Sequence, residues 1–236
     1  MSITSGGVVN DASYTAPVAA GSIAAAFGDF LLAAPATGNS PPLPTNLSGL
    51  SLQFGDGVLA PLFFASTGQV NLQVPWELAG QSQTTLTATL NGQVSAAQTV
   101  SLATFAPAIF SMNAQGTGQG AILDALSYVL VDSTHPATAG STYVSIYCTG
   151  LGPVTNQPAT GAAGPSSPLS WTTTTPTVTI GGMPATDLEF YGLAPGYAGL
   201  YQVNAQVPAA STKGSAVPVT ISIGGVASNT VTIGVQ

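Results

Sequence analysis

Gln69-Val70-Asn71-Leu72-Gln73-Val74-Pro75 returns as Gln202-Val203-Asn204-Ala205-Gln206-Val207-Pro208, an offset of 133 residues (69 to 202). The glycine turns downstream, at Gly92 and Gly225, keep the same offset, so no gap separates motif from turn in either copy. A stretch that recurs this way must be met by the same local structure twice. Within the motif Val70, Leu72 and Val74 alternate with Gln69, Asn71 and Gln73, the period of a half-buried strand. Pro75 lacks a backbone donor and ends the ladder. A chain of 236 residues has room for two such β-units of roughly 100 residues each.

The remaining pattern agrees. Leu50-Ser51-Leu52-Gln53-Phe54 alternates, with Gly55-Asp56-Gly57 as its turn. Thr84 to Leu90, Asn91-Gly92 and Val94 to Ala103 read as a hairpin, because Asn-Gly supplies the positive φ angles a two-residue turn needs. Thr177-Val178-Thr179-Ile180 and Val217 to Ile223 repeat these strands in the second half. Ser22 to Gly28 is read as a strand, since the flanking Gly21 and Gly28 leave too little length for a helix. Many short strands with regular turns predict an all-β chain of two tandem immunoglobulin-like β-sandwiches joined by a β-hairpin-containing connector. The expected division is an N-terminal extended arm at 1–20, a first sandwich at 21–105, a connector at 106–139 and a second sandwich at 140–236. Gly116-x-Gly118-x-Gly120 in the connector reads as a flexible hinge. From Gly55 to Asn71 is 16 residues and from Gly181 to Asn204 is 23, so the second copy is seven residues longer over this span, with Ala194 to Gly199 as the inserted stretch.

Charge narrows the function. Only 4% of residues are charged, with one Lys, no Arg, one His and a formal net charge of −7. Neutralising phosphates requires several cations, so nucleic acid is not expected as a partner, nor is anionic lipid. No apolar run is long enough for a membrane-spanning helix, and no membrane insertion is expected. The surface must be built of Ser, Thr, Gln, Asn, Gly and Ala. Either it is a neutral secreted surface, or much of it is covered by copies of the same chain. Met1 is not followed by a basic and then apolar leader, and the chain reads as a mature or recombinant form of an extracellular or cell-surface protein. Cys148, alone in its sequence, reads as a buried thiol.

No catalytic constellation is legible. His135 would have to serve as the base of any triad, yet it precedes Pro136 and no Gly-x-Ser-x-Gly elbow exists. One His and one Cys cannot close a zinc site. Asp187 and Glu189 share a strand face and read either as solvated charges or as a Ca²⁺ pair. No enzyme activity, cofactor or metal is expected. Trp76, Trp171 and Tyr197 are the candidate ligand or interface aromatics: either a platform for sugar rings or core and interdomain packing. Asn71 and Asn204 are expected to bond adjacent backbone within each unit. Val8, Val9 and Tyr14 lie in the arm, which is expected to add a strand to a neighbouring subunit.

Val8-Val9-Asn10-Asp11-Ala12-Ser13-Tyr14, the two Gln-Val-Asn-x-Gln-Val-Pro motifs, Thr149-Gly150-Leu151-Gly152-Pro153-Val154, Gly192-Leu193-Ala194-Pro195-Gly196 and Ser228-Asn229 occur in order. The chain in this respect resembles the uncharacterised C-terminal domain repeated in secreted Solibacter and other acidobacterial proteins. Each half also resembles the TIG/IPT immunoglobulin-like fold. The resemblance implies an extracellular, non-catalytic β-module and supplies no active site. Together these readings predict a self-assembling structural protein, a filament or sheath subunit whose partners are copies of itself. The alternative is a secreted module that binds a cell-surface glycan.

Overall fold

A computed structural model describes residues 1–55 and 57–236. Asp56, in the middle of the expected Gly55–Gly57 turn, lies outside the described residues. The first half contributes β1 (Ser2–Asn10), β2 (Val18–Ala19), β3 (Ile23–Asp29), β4 (Ala36–Thr37), β5 (Leu50–Phe54), β6 (Val58–Leu59), β7 (Leu62–Ala65), β8 (Gln69–Gln73), β9 (Gln83–Leu90), β10 (Gln93–Val94) and β11 (Gln98–Ala103). The second half contributes β12 (Ala108–Ile109), β13 (Ile122–Asp124), β14 (Tyr143–Thr149), β15 (Thr177–Ile180), β16 (Met183–Ala185), β17 (Leu188–Leu193), β18 (Tyr201–Gln206), β19 (Gly214–Ile223), β20 (Val226–Ala227) and β21 (Val231–Val235).

These strands build four sheets around two cores. One sheet runs β1-β3-β8-β7-β4 and faces a second, β2-β11-β9-β5-β6, with β10 also on β9. Between them Val8, Ala24, Val70 and Leu72 meet Leu50, Leu52, Phe54, Leu86 and Val100. The third sheet, β12-β14-β18-β17 with β13 on β14, faces the fourth, β16-β15-β19-β20 with β21 on β19. Val144, Ile146 and Val203 meet Val178, Ile180, Val219, Ile221 and Ile233 there. The architecture is all-β and sandwich-like. Alternation explains the faces: burying one side of each strand removes its apolar side chains from water, at about 25 cal/mol per Å².

The repeat holds down to single hydrogen bonds. Ser95 Oγ accepts the Ala88 N–H, and Ser228 Oγ accepts the Ile221 N–H, each at 3.0 Å. Pro75 O takes the Leu78 N–H, as Pro208 O takes that of Ser211. The second motif glutamine donates to the glycine that opens the paired strand: Gln73 Nε2 to Gly21 O at 3.4 Å, Gln206 Nε2 to Gly140 O at 3.2 Å.

Two segments depart from expectation. Residues 1–20 do not leave the fold as an arm. β1 pairs antiparallel with β3 of its own chain, and Ile3, Val8 and Val9 are buried. The strand has apolar side chains to bury, and the facing sheet receives Ile3 and Val8. Residues 106–139 are not a free connector either. The expected hairpin forms, with the Asp124 N–H on Val129 O and the Val131 N–H on Ile122 O, but β13 also pairs with β14. Ile109, Ile122, Val131 and Ala137 fill the second core. The glycine segment read as a hinge instead lies along β21, where the Thr232 N–H meets Gly118 O and the Gly120 N–H meets Thr232 O.

The segments that break the repeat hold the halves together. The Ile23 N–H bonds Thr149 Oγ1 at 2.9 Å, and that hydroxyl donates to Gly199 O at 3.0 Å, in the inserted stretch of the second copy. Gln73 Oε1 accepts the Gly161 N–H at 2.7 Å, and Thr160 Oγ1 accepts the Trp76 N–H at 3.0 Å. Asn10 Nδ2 donates to Ala106 O at 2.8 Å.

Candidate functional site

The six candidate residues are not brought together. Trp76 is 6% exposed and belongs to the second core although it lies in the first half. It packs as a plug between the halves. Its ring lies where a Cβ on Gly21 would stand, 2.1 Å from it, and Gly21 has φ +79°, so only glycine fits there. Trp171 is half-buried and packs edge-on against Phe190 at 5.0 Å and Tyr191 at 5.2 Å, a favoured geometry for rings. Tyr197 is 59% exposed and enters none of the ring pairs found among the described residues. Val8 and Val9 are buried in or beside the first sheet. Tyr14 stands just beyond β1, half-buried, its ring tilted against Phe27 at 6.4 Å.

His135 sits on an exposed turn around the Asp132 carboxylate, which accepts the backbone N–H groups of Thr134 and His135 and the Thr134 hydroxyl. Those bonds, the Thr134 hydroxyl's first, hold Asp132 below the usual carboxylate range. The His135 ring Nδ1 lies 2.9 Å from the Thr134 hydroxyl. Tyr143 donates its hydroxyl to Asp187, which raises the phenol to about 12. Among the described residues no three His, Cys, Asp or Glu side chains gather as metal ligands. Cys148 is fully buried, and burial pushes its thiol far up.

The motif asparagines bond side chains, not backbone, because the ladder already uses the backbone on both edges of β8 and β18. Asn204 Oδ1 accepts from Gln202 Nε2 at 2.8 Å and Ser145 Oγ at 3.0 Å. Asn71 Oδ1 accepts from Gln69 Nε2 at 2.7 Å, and Asn71 Nδ2 donates to Asp11 Oδ1 and Oδ2 at 3.1 and 3.0 Å. Burial outweighs that donor and lifts the Asp11 carboxyl to about 6.

The feature that distinguishes β1 is its edge. β1 is nine residues long and ends its sheet. Among the described residues nothing hydrogen-bonds the outer side of Ser2 to Val9. It carries no charge and no proline, and its irregularity is a bulge between Ile3 and Val8. The other sheet ends are short or covered. β2, β4, β6, β16 and β20 span two or three residues. The outer side of β17 receives Ser170 and Thr172, and that of β21 receives Gly120 and Ala137. In the second half the place of β1, beside β14, is taken by β12 and β13. Asn229 caps both backbone groups of Ile109 at 2.8 and 2.9 Å, and the 129–131 segment covers β13. Composition pointed to a strand in residues 1–15. Its position at an uncovered edge depends on contacts with β3 that no local pattern encodes.

No protein-family model matches the chain, and no curated protein matches it. Among solved structures, the Bacteroides ovatus mixed-linkage glucan utilization locus protein SGBP-B, in complex with a mixed-linkage heptasaccharide, aligns over 93% of this chain at 11% identity and TM-score 0.36. The chain spans 43% of that protein's length. Domains 5–6 of the S-layer protein SbsC align over 99% of this chain and 97% of theirs, at 11% identity and TM-score 0.29. The Streptococcus agalactiae AgI/II polypeptide BspA C-terminal domain aligns over 97% and 98%, at 11% identity and TM-score 0.20. Alignments this loose say nothing about what the chain does.

Proposed function

We propose that this chain is the subunit of an extracellular structural assembly, a filament or sheath, whose copies join by strand addition along the outer edge of β1. The unpaired edge carries this reading. A long, uncharged edge strand is a template for another chain, and natural sheets usually shorten, charge, bulge or cover such edges; β1 is interrupted only between Ile3 and Val8 and pairs with β3 on both sides of that irregularity. This molecule covers the equivalent edge in its second half and leaves it open in its first. A chain with 4% charged residues has a surface that offers little repulsion between copies. The division into an arm, two immunoglobulin-like units and a connector becomes a proposal of a different kind: β1 is the acceptor within the first unit, not a free donor.

Pairing β1 with β1 of a second copy, antiparallel about a two-fold axis, joins the two first sheets into one. Growth beyond a pair uses a second surface. The hairpin tip is suited to it, with Leu126 87%, Tyr128 71% and Val129 41% exposed in one turn.

The test is light scattering and negative-stain microscopy over a concentration series, with Thr4→Lys/Ser5→Lys as the variant. Both positions are exposed, so the pair charges the edge without touching the core. Deleting residues 1–15 would also strip Ile3 and Val8 from the first core and would not separate the two effects. Wild type is expected to assemble and the lysine pair to stay monomeric at an unchanged melting temperature. Monomeric wild type at millimolar concentration, or assemblies indifferent to the lysines, would overturn the reading.

A further inference from the structure

Between the outer face of the first sheet and the loop after β12 lies an open groove of about 340 Å³, lined by Asp11, Tyr14, Gln69, Asn71, Phe110 and Ser111 among others. Its size falls in the range of small-molecule sites, roughly 300–1,000 Å³. Its walls come from both halves and are held in register. Gly116, at φ +73°, brings its loop so near residues 12–13 that a Cβ would stand 3.0 Å from Ala12 O. Ser111 Oγ pins that loop by accepting the Gly116 N–H at 2.9 Å.

We propose that this groove binds a neutral saccharide, with Asp11 and the Gln69 and Asn71 amides holding ring hydroxyls and Tyr14 and Phe110 covering an apolar sugar face. The comparison between the two copies carries the inference. The Gln-to-Asn side-chain bond is present in both copies. In the second copy the Asn204 amide oxygen takes a further donor, the neutral hydroxyl of Ser145 across the ladder. In the first copy Ala25 stands across from Asn71, and the asparagine instead turns its Nδ2 to both oxygens of a half-buried carboxylate, Asp11, at the groove wall. A half-buried carboxylate left at the wall of a groove is a cost that a ligand's donors would offset.

The chemistry of the wall selects the ligand class. Acceptors on Asp11 and Gln69 stand beside amide and phenol donors, which matches hydroxyl groups that both donate and accept. An anion meets Asp11 and no cation. Calcium needs six to eight oxygens, and the groove offers one carboxylate. Two rings at the rim suit the C–H faces of a pyranose. The groove lies on the face of the sheet and not along its outer edge, so this inference stands apart from the assembly reading. It also places the saccharide away from Trp171 and Tyr197.

The test is calorimetric titration and ligand-observed NMR of the full chain with a panel of neutral hexasaccharides of glucose, xylose, mannose and galactose. Two variants are compared with wild type. Asp11→Asn keeps the shape and removes the charge. Tyr14→Gly removes the ring at a residue whose φ of +59° glycine adopts freely. At least one saccharide is expected to bind wild type with a dissociation constant of millimolar or below, and each variant to weaken it by about tenfold or more. Binding of none of the panel, or binding that survives both substitutions, would overturn the assignment. Should Tyr14→Gly fold poorly, Asp11→Asn alone still decides.

Discussion

Gln69 reaches along its own strand to donate Nε2–H to Asn71 Oδ1 at 2.7 Å, and in the second copy Gln202 does the same to Asn204 at 2.8 Å. What lies beyond the asparagine differs: the Asp11 carboxylate in one copy, the Ser145 hydroxyl in the other. Asn71→Ala leaves a half-buried carboxylate without its donor, at a cost of about 1–3 kcal/mol, whereas Asn204→Ala gives up neutral bonds for about 0.5–1.5 kcal/mol. Urea denaturation of the two variants is expected to rank Asn71→Ala as the more damaging. Equal losses would mean that Asp11 takes no support from Asn71.

The Asp11 carboxyl titrates near 6 in the folded chain, above its ordinary 3.8. Folding therefore takes up a proton between those values. Stability from this group is present below about pH 3.8 and is lost as pH rises through about 6. Asp11→Asn should be more stable than wild type at pH 7.5 by on the order of 1–2 kcal/mol, once partial exposure is discounted, and lose that advantage near pH 4. Asp124 and Asp132, whose carboxyls are lowered, act in both proteins and cancel in the difference. Melting curves of the pair across pH 4–8 check it; an advantage that grows toward low pH would contradict the sign. A variant more stable than wild type but unable to bind saccharide would be the usual exchange of stability for function.

Trp76 joins the halves, and among the described residues its buried Nε1–H meets no partner. Trp76→Ala should cost about 3–5 kcal/mol and split calorimetric unfolding into two transitions. Trp76→Phe keeps most of the packing, removes the unsatisfied donor and should be far milder. Gly21→Ala, whose methyl would fall within the indole, should resemble Trp76→Ala. A single sharp transition in Trp76→Ala would show that the hydrogen bonds at Thr149, Gly161 and Thr160 couple the halves without it.

Cys148 lies on β14 with its side chain wholly inside the second core, and burial keeps its thiol protonated at neutral pH. Its reaction with a disulfide reagent should be negligible in native buffer and should follow the urea transition of the second half. Prompt labelling of native protein would mean that β14 opens locally.

The repeat made much of the fold legible in the sequence. Alternation at Val70, Leu72 and Val74 correctly named a core face, and Asn91-Gly92 correctly named a hairpin turn, with φ of +49° and +86°. Both signals are local: they depend on side-chain period and on which residues tolerate a left-handed backbone. The candidate site was barely legible. Gln73 sits on the polar face of its strand, yet it is fully buried, because the Gly161 segment of the other half covers it. Trp76 read as core or interdomain packing ahead of a sugar platform, and where it packs, against Gly21 and within the second core, is fixed by contacts far apart in the chain.

By itself the sequence determined the strands, their inward faces and the fact that one unit occurs twice, since each follows from the order of apolar and turn residues along a few positions. Tertiary structure alone decided that residues 2–10 lie in their own sheet, with the outer side of residues 2–9 unpaired among the described residues, that the unrepeated loops bind the halves, and that Asp11 meets Asn71 across 60 residues. Those outcomes depend on which distant surfaces come into contact, and contact between surfaces far apart in the chain leaves no period in the sequence to read.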